Sequence, residues 1–419
     1  MDQSVRTIHR PHVLRRIGRN QLWEEIAGLS EYLLKRGHAI GTIQQYLQAI
    51  EHLGTWMRRR GITTAELNEL VVRRFLGHLA VCCCPPPASH DAKTLEAAAR
   101  RLMDLLRETH RIPERCAPAA TPVDREVEQF DRHLVETCGL ARNTRTYCRR
   151  YVRQFLAGKF GRGAFKREKI KPRDLMNFVS EQAAQWKPGT AKVMVCALRA
   201  YFRYLQLRGL CTPQLRAAIP TIPVWKLASI PKTVSGEDLR QFLSSFDRST
   251  ATGLRDHAMA RCMIECGLRV CEVADLHLSD IDWRQATLHV RGSKTRRSRL
   301  LPLTTQLGRA IAAYVRNGRP RSGLSGLFLL HKAPWTQSTA FTVRGALRRA
   351  YDRSGAARWS GPHALRHTVA ARMVQKGARL KEVADVLGHA SIDTTTIYAK
   401  VNLPMLRQVA MPWPGKVQR

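Results

Sequence analysis

Apolar residues recur at three- and four-residue spacing through most of the chain, which predicts a mainly helical protein. From Leu22 to about Leu79, residues Tyr46, Leu47, Ile50, Leu53 and Trp56 mark one helical face, while Gly37 and Gly61 punctuate successive helices. Pro85, Pro86 and Pro87 cannot continue a helix, and another is predicted from Thr94 to Thr109, ahead of the linker IPERCAPAATPVD. A second helical unit runs from about Val123 to Leu215 and faintly repeats the first: an apolar helix, a break near Gly37 or Gly139, then a helix start around Tyr46 or Tyr147. In this second unit Tyr151, Phe155, Tyr201, Phe202 and Tyr204 read as core rather than as base-stacking surfaces. Three prolines in residues 217–233 mark the main boundary.

Past that boundary Ser235 is the expected cap of a helix with Asp238 in its first turn, and helical pattern continues around Gly267. Then the period shortens: HLSDIDW, ATLHV and RSRLLPL read as three short antiparallel strands, with RGSKTRR connecting the last two. Helices resume at about Thr304, at about Thr339, and from Gly361 to Val401. At 419 residues the chain exceeds one ordinary core. The expected architecture is multidomain and mainly α, with a small antiparallel β-sheet near the C-terminal end. Its parts are a basic arm (1–20), an N-terminal accessory helical domain (21–112), a second helical domain (122–217), a linker (218–233), a C-terminal domain (234–403) and a tail (404–419).

Charge narrows the class of partner. Lys and Arg total 70 against 33 Asp and Glu, a net charge of +37, which favours a polyanion, with nucleic acid the leading candidate. The competing reading is a solvated, arginine-rich surface. Basic and polar residues gather in the second helical unit at Arg142, Asn143, Arg145 and Arg149, and again at Lys187, Thr190, Lys192 and Arg199. Helix N-termini with such side chains suit a DNA backbone or groove. Eleven cysteines lack the paired short spacings of a zinc module, and Cys262 and Cys266 read as small buried hydrophobes, so reduced thiols and no metal are expected. No apolar run approaches the roughly 20 residues of a membrane span, and no signal peptide is read at the start, so a cytoplasmic protein is expected.

The stretch GPHALRHTVAARMVQKGARLKEVADVLGHASIDTTTIYAKV, 361–401, carries the chemistry. His363 and Arg366 lie three apart on one helical face; His389 follows Gly388, and Tyr398 lies nine residues beyond His389, in a segment that Ser391 can cap. Attack on a phosphodiester must overcome its negative charge and the further charge on its non-bridging oxygens, which two guanidiniums can clamp. Arg366 and Arg269 are the candidates, with Glu272 either orienting Arg269 and its neighbours or forming a surface ion pair. The Tyr398 phenol can attack phosphorus. His363 could accept its proton or hold a phosphate oxygen, His389 could donate to the phosphoryl group, and Lys294 could protonate the leaving 5′ oxygen or merely hold DNA.

Arg269 in GLRVCE, Lys294 between strands, HALRH at 363–367, LGH at 387–389 and Tyr398, in that order, resemble the tyrosine recombinase (phage integrase) family. The resemblance covers about Thr233 to Val401 and, more weakly, the helical unit before it; the helices before residue 122 lie outside the minimal family pattern. It implies a SAM-like core-binding domain and a catalytic domain that exchange DNA strands without metal, ATP or another cofactor, through a 3′-phosphotyrosyl link and a Holliday junction. It also implies double-stranded DNA as substrate and self-association as a tetramer on two sites, with or without a second recombinase. In that architecture the tail docks on a neighbouring protomer, here through Leu403, Met405, Leu406, Val409 and Met411, or else packs on its own chain. The function expected is that of an integrase or transposase of a mobile element. A type IB topoisomerase and a non-catalytic DNA-binding protein are the alternatives.

Overall fold

The computed structural model describes residues 19–84, 91–114, 120–161, 163–223, 230–292, 298–355 and 361–401. The basic arm up to residue 18, Lys294, and the tail from 402 lie outside these described residues. The chain divides into two compact units, residues 1–114 with 229–419, and residues 115–228.

The N-terminal helices of the first unit are α1 (Trp23–Lys35), α2 (Ile40–Arg59), α3 (Glu69–His78) and α4 (Ala92–Glu108). In α4 the buried positions Leu95, Ala98, Ala99, Leu102, Met103 and Leu106 follow the three-and-four spacing, and the Asp91 carboxylate caps the first turn through Lys93 N–H. These faces meet Leu29, Leu33, Leu47, Leu53 and Phe75 in one core.

The second unit comprises α5 (Pro122–Glu136), α6 (Arg142–Phe160), α7 (Pro172–Gln185), α8 (Pro188–Leu207) and α9 (Pro213–Ala217). Proline is the first helical residue of α5, α7, α8 and α9, where its missing N–H costs nothing. Tyr151, Phe155, Tyr201, Phe202 and Tyr204 are all buried in its core, as the helical spacing predicted. The Tyr201 hydroxyl donates to buried Glu126 at 2.8 Å, and Arg167 pairs with the same carboxylate.

The rest of the first unit holds α10 (Gly236–Ser244), α11 (Ala251–Cys266), α12 (Val270–Ala274), β1 (Ile281–Asp282), β2 (Thr287–Val290), β3 (Arg299–Pro302), α13 (Thr305–Asn317), α14 (Ala340–Ser354), α15 (Pro362–Gln375) and α16 (Leu380–Leu387). A run of 3₁₀ turns ends the described chain, Ile392–Thr394 and Thr396–Val401. The strands form the antiparallel sheet expected, in order β1-β2-β3, with Leu288 opposite Leu301 and both turned into the core. Ser235, Thr304 and Thr339 each cap a helix with their hydroxyls. Ser391 caps only the first 3₁₀ turn rather than an α-helix. Cys262 and Cys266 are buried, and burial pushes the Cys266 thiol up to about 12, so both act as apolar filler.

Helix α11 packs against α13, α14 and α15, and its C-terminal end decides where the site forms. Gly267 ends it in the left-handed conformation at φ 61°. A Cβ there would meet the Leu387 side chain at 2.7 Å, so this close approach of α11 to the end of α16 requires glycine.

Candidate active site

The last carbonyls of α16 organise the site. A helix C-terminus leaves carbonyls unpaired and carries partial negative charge. Here three of them accept from three different arginines. Arg299 Nε on β3 donates to Val386 O at 2.8 Å, Arg366 Nη2 on α15 donates to Leu387 O, and Arg269 Nη2 donates to Gly388 O at 3.0 Å. Arg366 Nη1 also donates to Gly267 O at 2.6 Å, tying the ends of α11 and α16 together. Gly388 itself sits at φ 61°, and a Cβ on it would lie 2.7 Å from Arg299 Nη1.

Glu272 supplies the carboxylate of the cluster. Arg269 stands at the N-cap of α12, and Glu272 at the third helical position returns a carboxylate to the Arg269 N–H at 2.8 Å and to Arg269 Nη1 at 2.7 Å. The same carboxylate accepts from Arg299 Nη1 at 3.1 Å and Nη2 at 2.9 Å. Its side chain is 3% exposed, which removes the surface-pair reading. Burial works to raise its pKa, but the hydrogen bonds and charges of Arg299 and Arg269 outweigh that and hold the carboxyl below its ordinary range.

Charge does not balance here. Three guanidiniums against one carboxylate leave an excess of two positive charges (3 − 1) around largely buried groups. Burial, together with the nearby Arg269 charge, pushes Arg366 down to about 10. An anion placed among these groups would relieve that penalty.

Tyr398 lies beside the arginines, 1% exposed, in a small core with Ala370, Val374, Val383 and Leu387. Its ring is stacked on His389 with centroids 6.5 Å apart and planes within 9°. Burial raises its pKa, while Arg366 and Arg269 pull the other way. His389 Nδ1 is 2.7 Å from Thr395 Oγ1, and burial with the Arg366 charge lowers its pKa to about 4, so the ring is neutral at pH 7.

A family model described as "Phage integrase family" matches residues 232–403, and one described as "Phage integrase, N-terminal SAM-like domain" matches 127–209. The Sinorhizobium fredii protein y4rA, provisionally assigned as an integrase/recombinase, is 35% identical over 397 residues, 94% of this chain and 95% of that protein. The chain belongs to the tyrosine recombinase (phage integrase) family. Among solved structures, the fold matches a Tn1549 transposon integrase in complex with transposon right end DNA (TM-score 0.52, 19% identity, 68% of this chain and 99% of that one). It also matches a lambda integrase tetramer bound to a Holliday junction (TM-score 0.51, 17% identity, 74% and 87%).

Within this tyrosine recombinase, Arg269, Glu272, Arg366, His389 and Tyr398 meet in space. The hydrogen-bond partner of the phenol is a histidine that the sequence did not single out. The Tyr398 hydroxyl is 2.8 Å from His367 Nδ1, whereas His363 is exposed, one turn earlier on α15, with its ring 6.4 Å from that of His367. His363 shares the helix face of Arg366 and His367 but lies one turn nearer the N-terminus of α15, so it stays at the exposed rim while His367 meets the Tyr398 hydroxyl. Arg299 was missed; the signal available was an arginine entering a strand otherwise built of apolar residues, in RLLP.

The basic residues of the second helical unit divide by pairing. Arg145 makes a two-pronged pair with buried Asp131, Nε to Oδ1 and Nη2 to Oδ2, each at 2.9 Å. Arg199 donates to Ile219 O at 3.1 Å and Thr221 Oγ1 at 2.7 Å, and Arg149 pairs with Glu128 and Asp131. These three hold the unit together. Arg142, Asn143, Lys187, Thr190 and Lys192 are exposed at or beside the starts of α6 and α8. Phe155 of α6 meets Phe202 of α8 at 6.2 Å, and Tyr151 meets Trp186, just before α8, at 5.6 Å. An exposed helix N-terminus with such side chains is suited to a phosphate.

Replacing Arg299 by alanine should cost about 3 kcal/mol, because a buried carboxylate loses a partner. Breaking the exposed Arg348–Asp352 pair should cost under about 1 kcal/mol. Urea titration of the two variants checks this, and equal losses would remove Glu272 and Arg299 as the frame of the site. Alanine at Arg142 or Lys192 should reduce the salt slope of DNA binding by about 1 each, read from affinity against salt concentration. At Arg145 the same change should instead destabilise the unit.

Proposed function

We propose that this tyrosine recombinase is a site-specific DNA recombinase, an integrase or transposase of a mobile element, with Tyr398 as nucleophile. The observation that carries the reading is the buried cluster of Arg269, Arg299 and Arg366, two positive charges in excess, with a phenol and a neutral imidazole stacked beside it. A scissile phosphate would sit against Arg269 and Arg366, which neutralise it and stabilise the further charge of the transition state. A Thr395 hydroxyl donating to His389 Nδ1 leaves the proton on Nε2, the donor that a phosphate oxygen needs.

In the first step the Tyr398 Oη–P bond forms and the P–O5′ bond breaks. The phenolic proton passes to a base, and the leaving 5′ oxygen takes a proton from a general acid, the role that the resemblance assigns to Lys294. His367 Nδ1 is the base within reach in this structure, in place of His363. A 5′ hydroxyl of a partner strand then reverses the chemistry. The phosphodiester energy stays in the covalent link, so no high-energy cofactor enters. Tyr398 is buried here, so reaching phosphorus requires the 3₁₀ turns of Ile392–Val401 to shift, and short turns resist this less than a long helix.

A tetramer on two DNA sites is the assembly we propose, with resolution through a Holliday junction. The likeness to a lambda integrase tetramer on such a junction supports it. Among the described residues no helix is long and apolar enough to cross a membrane, in keeping with action on DNA in the cytoplasm.

Tyr398→Phe should abolish covalent capture of a nicked suicide duplex carrying the recombination site while leaving DNA binding nearly unchanged. Capture equal to that of the parent chain would move the nucleophile elsewhere. Burial, with His363 and Arg366 nearby, lowers the His367 pKa from its ordinary 6.5, so the ring remains an unprotonated base as the medium is acidified through that value. The acid limb of the cleavage rate should therefore lie below pH 6.5 and be absent in His367→Gln. A limb at or above pH 6.5, unchanged by that substitution, would rule His367 out as the base.

A further inference from the structure

Away from the DNA chemistry, four soft or borderline ligands converge inside the N-terminal helical layer. His52 of α2, His78 at the end of α3, and Cys82 and Cys84 just beyond it place one ligand atom each within 4.8 Å of all the others. Cys82 Sγ is 3.4 Å from His52 Nε2, and Cys84 Sγ is 3.8 Å from His78 Nε2. His52 is buried and the other three are half-buried. We propose that this cluster is a structural Zn²⁺ site.

The donor set decides the metal. Two thiolates and two imidazoles suit tetrahedral zinc, and with two sulfurs and two nitrogens the edges of the coordination tetrahedron would be about 3.3–3.8 Å, given Zn–S near 2.3 Å and Zn–N near 2.0 Å. No two of the four atoms are more than 4.8 Å apart, within about 1.5 Å of that arrangement. Four protein ligands close the coordination sphere, which makes the site structural rather than catalytic. Its charge also closes, since Zn²⁺ with two thiolates is neutral, so the neighbouring Arg59, which donates to Cys83 O at 3.3 Å, does not oppose it.

The surroundings are those of a ligand set. His78 Nδ1 is hydrogen-bonded to the Phe75 carbonyl, which fixes the tautomer and presents Nε2 with its lone pair to the cluster. Trp56 and Phe75 wall the imidazoles on the apolar side, with ring centroids 5.6 Å from His78 and 5.1 Å from His52 respectively. Cys83, between the two ligand thiols, is exposed. Sequence spacing concealed the site: reading along the chain for paired short cysteine spacings led to the expectation of no metal. The ligands are instead a Cys-X-Cys pair, a histidine four residues before it, and a histidine from the preceding long helix, brought in by the packing of α3 on α2. Zinc here would fasten α2, α3 and the segment after α3, a layer that lies outside both family matches.

The tag-free full chain, reduced, equilibrated with zinc and freed of excess by desalting, should retain about one Zn²⁺ per chain by atomic emission. Cys82→Ser and Cys84→Ser should fall below about one tenth of that, while Cys83→Ser keeps it. Cobalt in place of zinc should give, in the unmodified chain, tetrahedral d–d bands and a thiolate-to-cobalt charge-transfer band, a readout independent of whether any variant folds. Lack of retained zinc, loss of metal in Cys83→Ser equal to that in Cys82→Ser, or a cobalt spectrum without thiolate bands would each overturn the site.

Discussion

Three arginines hung on the last carbonyls of one short helix are the constraint around which the C-terminal half of this protein is arranged. Helix α16 ends at Leu387, and Val386, Leu387 and Gly388 each offer a carbonyl to a guanidinium from a different element. Arg269 comes from the start of α12, Arg299 from β3 and Arg366 from α15. Backbone carbonyls fixed by a helix do not reorganise when charge develops nearby, so the guanidiniums are oriented before any substrate arrives. Glu272 binds two of the three and prevents them from turning outward.

The cluster is poorly designed for stability and well designed for an anion. A single buried carboxylate cannot neutralise three guanidiniums, and burial drives Arg366 well below its ordinary pKa. Folding of the surrounding core, with α11 buried nearly all round, carries that cost. A phosphate would complete what the protein leaves unbalanced. Under the proposed reading, the groups that would hold a phosphodiester are already assembled at the expense of the free protein.

Basic residues serve two different purposes in the second unit, and charge alone does not separate them. Arg145 looks in the sequence like Arg142, both in the first turn of α6, and Arg199 looks like Lys192, both basic residues of α8. Buried Asp131 captures Arg145, and the chain around Ile219–Thr221 captures Arg199. Arg142 and Lys192, exposed at and beside the helix starts, remain open to phosphates.

Much of this was legible in the linear chain. The three- and four-residue apolar period determined the helices, alternation determined the three short strands, and glycine or hydroxyl residues determined where helices begin and end, because these are local preferences of the backbone. Motif order placed Arg269, Arg366, His389 and Tyr398 in one family for the same reason: each short motif sits on an element whose local geometry it specifies. Tertiary structure alone decided the partners. That Tyr398 faces His367 rather than His363 depends on where along α15 the 3₁₀ turns pack, that Arg299 joins the cluster depends on the approach of β3 to α16, and that two histidines meet two cysteines depends on how α3 lies against α2. Local propensity is set by neighbours in the chain, whereas these contacts are set by which faces must be buried together, and no run of residues carries that information by itself.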